Sequence, residues 1–176
     1  MVVLGMNGKK MEEALEKIAS KDSKKAAEGI AIASGIEAES IAFYARQAEK
    51  AEGEMKSFFE FMAGQEKQHL EAIKKLQKNL EEKGLWEKPS LEKKETQKVF
   101  SKKDWDKGNE EGITAILFAL WKEKQAQEFY MRIANSVESS EAKQFFEALA
   151  AFEKGHADLL AEYVEDSYYT RELIMG

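Results

Sequence analysis

The sequence predicts an all-α protein: a bundle of four helices, arranged as two helical hairpins joined by a long connection. Apolar residues recur at three- and four-residue steps along four segments, as amphipathic helices require. The sequence also nearly repeats itself at an offset of 86 to 87 residues. With 176 residues, of which 43% are hydrophobic, the chain is long enough for one good core and is expected to form one domain.

The internal repeat consists of two similar segments. Residues 35–73 read GIEAESIAFYARQAEKAEGEMKSFFEFMAGQEKQHLEAI, and residues 120–160 read LWKEKQAQEFYMRIANSVESSEAKQFFEALAAFEKGHADLL. Tyr44 matches Tyr130 at an offset of 86, and one extra residue in the second turn makes the offset 87 from there onward. Each segment is predicted to form the greater part of one helical hairpin.

Each predicted helix has an apolar stripe that charged residues interrupt. In the first hairpin the stripes contain Ile30, Ala33, Glu37, Ile41, Tyr44 and Ala48, then Phe58, Phe59, Met62, Glu66, His69, Ile73, Leu76 and Leu80. In the second hairpin they contain Ile116, Ala119, Glu123, Tyr130 and Ile133, then Phe146, Leu149, Glu153, His156, Leu160 and Tyr163. The interruptions fall at matching places in the two halves, so we expect them at one level of the bundle.

The chain is expected to have three parts. Residues 1–21 form an N-terminal extension with a short helix, residues 22–166 form the bundle, and residues 167–176 form a C-terminal tail. Within the bundle, residues 82–111 carry Gly, Pro and several Lys, a composition that indicates a connection. A connection of this length gives the ferritin-like variant of the four-helix bundle, whereas an up-and-down bundle needs only a short turn.

Composition excludes several classes of function. The net charge is −6 and Lys is interleaved with Glu, so there is no basic stripe for nucleic acid. The chain has no cysteine, which excludes disulfides, thiolate metal sites and a catalytic Cys. The opening MVVLGM is too short for a signal peptide, and no run approaches the ~20 apolar residues of a membrane span. We therefore expect a cytoplasmic protein without nucleic-acid or membrane partners.

Two Glu-x-x-His motifs carry the prediction of a metal site. Glu66 and His69 lie one helical turn apart, so both side chains project the same way, and Glu153 and His156 repeat this spacing. One such motif is weak evidence in a sequence rich in Glu. The chain has only two histidines, however, and both follow a Glu by three residues on an apolar stripe. We interpret the pair of motifs as metal ligands rather than core residues.

The other two helices add one carboxylate each. Glu37 precedes Glu66 by 29 residues and Glu123 precedes Glu153 by 30, so these carboxylates are expected at equal depth. Two divalent cations would compensate four buried carboxylates, whose pKa values would otherwise rise steeply. The predicted metal ligands are Glu37, Glu66, His69, Glu123, Glu153 and His156. Mixed imidazole and carboxylate ligands suit two iron ions, with manganese, a mixed iron and manganese pair, or zinc as alternatives.

Aromatic and sulfur-containing residues accompany the ligands. Tyr44 and Tyr130 each follow a ligand Glu by seven residues, so their hydroxyls are expected to hydrogen-bond ligand carboxylates. The alternative is that both are ordinary core tyrosines. Three methionines are expected to fill gaps in the core and three tryptophans to be packing residues, all without a chemical role: Met55, Met62 and Met131, and Trp86, Trp105 and Trp121.

These motifs resemble the rubrerythrin-like branch of the ferritin-like superfamily. The resemblance spans about residues 26–165. It rests on Glu37-x6-Tyr44, Glu66-Lys-Gln-His69, Glu123-x6-Tyr130 and Glu153-Lys-Gly-His156, with a Phe-Phe-Glu segment before each Glu-x-x-His. It implies that Glu66 and Glu153 bridge the metals, that Glu37 and His69 bind one iron and that Glu123 and His156 bind the other. The expected catalytic residues are then Glu66, Glu153, Tyr44 and Tyr130.

The sequence departs from full-length rubrerythrins in two ways. It has no Cys-ligated rubredoxin domain, so electrons are expected from a separate protein. Rubrerythrins also carry an additional Glu one turn after the third-helix ligand, where this chain has Ala126. The ligand exchange that accompanies redox change in rubrerythrins is therefore not carried over to this chain.

The function expected from the resemblance is reduction of hydrogen peroxide or dioxygen at a di-iron site, a peroxidase acting in oxidative stress. One alternative is a ferroxidase or iron-handling protein, which would use the same ligands. Another is a non-catalytic helical module that holds structural zinc. We expect a homodimer or larger homo-oligomer and an external electron-donor protein as partners.

Overall fold

A computed structural model describes residues 8–86 and 110–175 of the chain, with side chains placed for residues 8–86 and 112–165. These residues form five α-helices and no strand, so the all-α prediction is confirmed. The helices are α1 (Gly8–Ile18), α2 (Ser23–Lys50), α3 (Gly53–Lys83), α4 (Glu110–Ser136) and α5 (Ser140–Met175). None of the described helices is both long and apolar enough to cross a membrane.

Helix boundaries follow from local sequence. Asp22 caps α2, because its side chain accepts hydrogen bonds from the backbone N–H groups of Lys24 and Lys25. The turn between α2 and α3 ends at Gly53, whose φ of 57° is in the left-handed region that favours glycine. Gly84 ends α3 with φ 66° and donates its N–H to the Leu80 carbonyl.

The four long helices form two hairpins, α2 with α3 and α4 with α5. Across the hairpins, Tyr44 contacts Glu123 while Glu37 contacts Tyr130, so α2 and α4 run antiparallel. Most of the predicted connection, residues 87–109, lies outside the described residues. Helix α5 continues past residue 167, the predicted start of the C-terminal tail, and ends at Met175.

The core consists of two apolar clusters at opposite ends of the bundle. One contains residues of all five helices, including Ile18, Ile30, Ile73, Leu76, Tyr130, Phe146 and Leu149. The other includes Phe43, Tyr44, Phe58, Phe59, Met62, Ile116 and Leu160. The predicted apolar stripes account for most of the second cluster and for part of the first, and Ile41 is only half-buried. The polar residues of the four stripes lie between the clusters.

Met131, predicted to fill the core, and Trp121, predicted to be a packing residue, both lie on the surface. Trp121 is 44% exposed and Met131 is 39% exposed. Trp121 precedes Glu123 by two residues, which is about 200° around the helix, so its side chain faces away from the buried stripe. Met55 and Trp86 are half-buried, Met62 is buried as predicted, and Trp105 lies outside the described residues.

Helix α1 packs across both hairpins, a position that the sequence did not predict. It contacts α2 and α4, and Ala14, Leu15 and Ile18 are buried against them. Arg132 of α4 lies 2.6 Å from Glu12, and this pair is exposed. Exposed ion pairs contribute little to stability, so the apolar contacts hold α1 in place.

The closest approach of α1 to α2 occurs at Gly29, which gives a test of this packing. A Cβ atom at Gly29 would lie 2.8 Å from the Ala14 carbonyl oxygen and 2.9 Å from the Ile18 nitrogen, so α1 would have to move. We expect Gly29→Ala to lower the free energy of unfolding by about 1–3 kcal/mol, as overpacking does. Gly35→Ala is the matched control in the same helix, because no atom lies within 4 Å of its added Cβ.

The control substitution should raise the free energy of unfolding by up to ~1 kcal/mol, the difference in helix propensity between Gly and Ala. Urea unfolding followed by circular dichroism would measure both variants. Equal stability of the two variants would contradict the packing of α1 described above.

Candidate metal centre

Four helices bring six polar side chains to one buried layer. Glu37 comes from α2 and Glu123 from α4, each inside an apolar stripe. The two Glu-x-x-His motifs come from α3 and α5, where helical spacing points Glu and His the same way. Each of the six is at most 2% exposed: Glu37, Glu66, His69, Glu123, Glu153 and His156.

The first imidazole, His69, lies among three of the four carboxylates. Its Nδ1 is 3.0 Å from Oε1 of Glu153, 3.3 Å from Oε2 of Glu66 and 3.9 Å from Oε2 of Glu37. The shortest distance therefore joins the two hairpins. The Phe152 ring packs against the His69 ring with centroids 5.2 Å apart, a neighbour that sequence spacing did not indicate.

The second imidazole, His156, has a matching environment. Its Nδ1 is 3.1 Å from Oε1 of Glu66, and 3.4 Å from Oε2 of Glu123 and from Oε2 of Glu153. The two imidazole rings stack at 5.4 Å between centroids. The surroundings of His69 and His156 thus correspond to each other, as the two halves of the sequence do.

Two of the carboxylates are shared between the imidazoles. Glu66 and Glu153 each place one oxygen near His69 and the other near His156. The ligand atoms accordingly form two groups, and within each group they lie within 4.8 Å of one another. The groups are Glu37, Glu66, His69 and Glu153, and Glu66, Glu123, Glu153 and His156.

The hydrogen bonding of these atoms fits metal ligation better than a polar core. Oε1 of Glu66, Oε1 of Glu153 and the Nδ1 atoms of His69 and His156 are fully buried and have no hydrogen-bond partner of acceptable geometry. Buried polar atoms are nearly always paired, because leaving one unpaired costs about 1–3 kcal/mol. Groups of unpaired carboxylate oxygen and imidazole nitrogen atoms that lie close together are what divalent cations require.

The two site tyrosines bind carboxylates across the hairpin interface. The Tyr44 hydroxyl donates to Oε1 of Glu123, and the Tyr130 hydroxyl donates to Oε1 of Glu37. Both tyrosines are completely buried. The predicted hydrogen bonds are therefore present, and each phenol reaches the opposite hairpin rather than the Glu seven residues before it.

Position 126, where the sequence departs from rubrerythrins, contributes no carboxylate to this layer. Ala126 is buried in the core one turn after Glu123. At the equivalent position of the first hairpin, one turn after Glu37, Ser40 is also buried. Neither position adds a charged side chain, so the described layer has only the four carboxylates named above.

Burial and mutual repulsion shift the pKa values of the outer carboxylates upward. Burial, with Glu153 and Glu66 nearby, raises the pKa of Glu37 well above its usual value. Burial, with Glu66 nearby, does the same to the pKa of Glu123. Without metal the site therefore favours the protonated form of these two carboxyl groups more than solvent would.

The remaining four groups, two carboxylates and two imidazoles, lie within ion-pair distance of one another. Burial opposes ionisation of Glu66, but His156 and His69 outweigh it and hold its pKa well below the usual value. Burial and Glu66 oppose ionisation of Glu153, whose pKa the two histidines also lower. Burial opposes protonation of His69, but Glu153 and Glu66 raise its pKa to about 9. The pKa of His156 is also raised, against burial, by its three carboxylate neighbours.

These shifts predict how the stability of the metal-free protein depends on pH. A group whose pKa is higher in the folded than in the unfolded state stabilises the fold at pH values below its unfolded pKa. This stabilisation is lost as the pH rises through the folded pKa. For His69 the loss falls between pH 6.5 and about 9. The raised pKa values of Glu37 and Glu123 add a loss of stability that begins as the pH rises above 4.5. The lowered pKa values of Glu66 and Glu153 give a loss of stability below pH 4.5 instead.

We therefore expect the metal-free protein to melt at its highest temperature near pH 4.5, and at falling temperatures from there toward pH 9. Metal binding near pH 7 should release protons, because metal ligands must be deprotonated. Calorimetry across this pH range and a dye-based proton count during metal addition measure both effects. A melting temperature that rises steadily from pH 6.5 to 9 would contradict the assigned ion pairs.

Comparison with known proteins agrees with this geometry. The profile of the rubrerythrin family matches residues 28–164, which is most of the chain. The chain belongs to the rubrerythrin family. Comparison with curated proteins and with solved structures found no significant match. Family membership and the buried Glu and His cluster together indicate a metal-binding oxidoreductase.

Proposed function

We propose that this rubrerythrin reduces hydrogen peroxide at a pair of iron ions held by the six buried side chains. The observation that carries the proposal is the sharing of Glu66 and Glu153 between the two imidazoles. A carboxylate with one oxygen toward each group of ligands is suited to bridge two cations. Glu66 and Glu153 would bridge the metals, with one terminal Glu and one His completing each position.

Each side chain then has a role in the reaction. Reduction of hydrogen peroxide takes up two electrons and two protons and releases two water molecules, and a diferrous pair supplies the two electrons when bound. Glu37 with His69 and Glu123 with His156 would hold one ion each. Tyr130 and Tyr44 orient the two terminal carboxylates by hydrogen bonds, as outer partners of metal ligands commonly do.

Burial of the site supports two-electron chemistry. All six proposed ligands are at most 2% exposed, and apolar clusters lie on both sides of the layer. Exclusion of water strengthens the electrostatic interactions within such a layer. Because the chain has no cysteine, it cannot hold a rubredoxin-type iron centre, and we propose a separate protein as the source of the electrons that restore the reduced state.

Reaction stoichiometry and assembly test the proposal. Anaerobic protein loaded with Fe(II) would be mixed with hydrogen peroxide in a stopped-flow instrument. We expect one peroxide to oxidise two ferrous ions, and size-exclusion chromatography to show a dimer or small oligomer. Repeated oxidation of added iron by a large hollow assembly would instead indicate a ferroxidase. A colourless, zinc-loaded protein that does not react would indicate a structural metal site.

A further inference from the structure

A row of aromatic rings connects the metal centre with the surface of α4. The Trp121 ring lies 5.7 Å from Phe118, Phe118 lies 5.3 Å from Phe43, and Phe43 lies 5.3 Å from Tyr44, all between ring centroids. Tyr44 donates its hydroxyl hydrogen bond to Glu123, one of the proposed ligands. The row therefore runs without a gap from a proposed ligand to an indole that is 44% exposed.

The two ends of this row are the side chains that lose an electron most readily. Tryptophan and tyrosine form radicals by one-electron oxidation, whereas phenylalanine does not under the same conditions. Trp121 and Tyr44 can therefore hold a radical, whereas Phe118 and Phe43 provide only the contacts through which an electron would pass between them. The Lys122 ammonium lies 6.0 Å from the Phe43 ring, and its positive charge further disfavours oxidation of that ring.

The other half of the repeat lacks this connection. At the offset of 86 residues, Phe129 corresponds to Phe43 and contacts Tyr130 at 5.5 Å, but Ile32 and Gly35 stand where Phe118 and Trp121 would be. The symmetry of the two halves does not account for Trp121, because only one half has a tryptophan at this position. Packing in the core does not account for it either, since the Trp121 side chain faces solvent.

A second tryptophan approaches the other site tyrosine with wider spacing. Trp86 lies 6.4 Å from Phe146, and Phe146 lies 6.1 Å from Tyr130. Trp86 is half-buried, whereas Trp121 is exposed and has the closer spacing at every step. The geometry therefore favours Trp121 as the surface end, and Trp86 provides an internal comparison.

We propose that Trp121 supplies an electron to the site, through Phe118, Phe43 and Tyr44, when peroxide meets only one ferrous ion there. Peroxide still needs two electrons: one comes from the ferrous ion, and the other comes from Trp121. The Trp121 indole also loses its N–H proton to solvent and becomes a neutral radical, so that one peroxide and one added proton give two water molecules. A one-electron reductant in solution, together with a proton, restores the indole.

The role of this row is protection of the site under partial loading. Without an external source for the second electron, the remaining oxidising equivalent would attack the ligands and the buried aromatic residues. The row moves it to an exposed side chain, where a solution reductant can reach it. This inference rests on the proposed peroxide chemistry. The experiment below distinguishes a failure of the electron path from a failure of the proposed peroxide reduction.

Radical trapping on partially loaded protein tests the inference. Protein with one Fe(II) per chain, made with ring-deuterated tryptophan, would be mixed anaerobically with one equivalent of hydrogen peroxide and frozen for electron paramagnetic resonance. A parallel sample would contain 2-methyl-2-nitrosopropane, whose covalent adduct peptide mass spectrometry can locate. We expect a tryptophan radical whose spectrum narrows on deuteration, and an adduct on Trp121 in excess over Trp86.

Three variants distinguish the path from simple exposure. Phe118→Leu keeps Trp121 but interrupts the row, and should lower the Trp121 adduct several-fold while iron oxidation continues. Trp121→Phe should remove that adduct altogether. Leu117→Ala changes a neighbouring side chain of similar exposure that is not in the row, and should match the unaltered protein. Metal-free protein with peroxide should show only background trapping.

Two results would overturn the inference alone. One is normal iron oxidation without a Trp121 radical, and the other is a Trp121 adduct of equal yield in Phe118→Leu or in metal-free protein. If peroxide does not oxidise the bound iron at all, the proposed function itself is wrong. Melting curves of Phe118→Leu would verify that the variant is folded before its adduct yield is compared.

Discussion

Glu66→Ala and Glu153→Ala should each abolish two-electron turnover with peroxide, whereas Tyr44→Phe should remain measurably active. Each of the two glutamates places an oxygen near both imidazoles, so its loss removes a ligand from both metal positions. We expect such a variant to hold at most one ion loosely. In two-electron turnover the Tyr44 hydroxyl orients Glu123 and is not itself a proposed ligand, and loss of an outer partner typically costs about 10–100-fold in affinity or activity.

Stopped-flow oxidation of each reduced variant by hydrogen peroxide, with metal analysis of the same sample, measures this difference. Glu147→Ala is a matched control, because it removes an exposed glutamate from the same helix as Glu153 and should behave like the unaltered protein. If Tyr44→Phe lost as much activity as Glu153→Ala, the proposed division between bridging and orienting residues would be wrong.

Removing the metal should destabilise the fold strongly. Four carboxylates within one buried layer repel one another or take up protons when no cation compensates them. A ligand that binds only the folded state adds about 4 kcal/mol when its free concentration is 1,000 times its Kd. For a chain of this size that corresponds to roughly 8–16 °C in melting temperature.

Differential scanning calorimetry of chelator-treated and reloaded protein tests this expectation. Glu153→Ala supplies the control, since it should gain little on reloading if Glu153 is a ligand of both ions. Metal-free protein that melts no lower than loaded protein would show that the six side chains do not depend on metal for their arrangement.

The helical content and the polar layer could be predicted because they depend on periodicity. A repeat of three and four residues decides which face of a helix is buried, and it placed all six charged residues on buried faces. The internal repeat then indicated that the polar residues of the two halves occupy matching places. That the layer binds metal was a chemical interpretation of its composition, and membership of the rubrerythrin family supports it.

Contacts between the hairpins could not be predicted, because they depend on how separate helices approach one another. Spacing placed Tyr44 and Glu37 on one face, but the Tyr44 hydroxyl binds Glu123 of the other hairpin. The position of α1 is a similar case, since it depends on a close approach at Gly29 that no periodic pattern records. Trp121 was expected to be a packing residue, but it lies two residues before Glu123, about 200° around the helix, so its side chain faces outward.

Anaerobic titration of the metal-free protein with Fe(II) tests the central claim most directly. Two groups of ligand atoms share Glu66 and Glu153, so we expect saturation at two iron ions per chain and at no more than one in Glu153→Ala. Equilibrium dialysis with iron analysis gives this count independently of activity. Saturation at one ion or none in the unaltered protein, or two tightly bound ions in Glu153→Ala, would contradict a carboxylate-bridged pair.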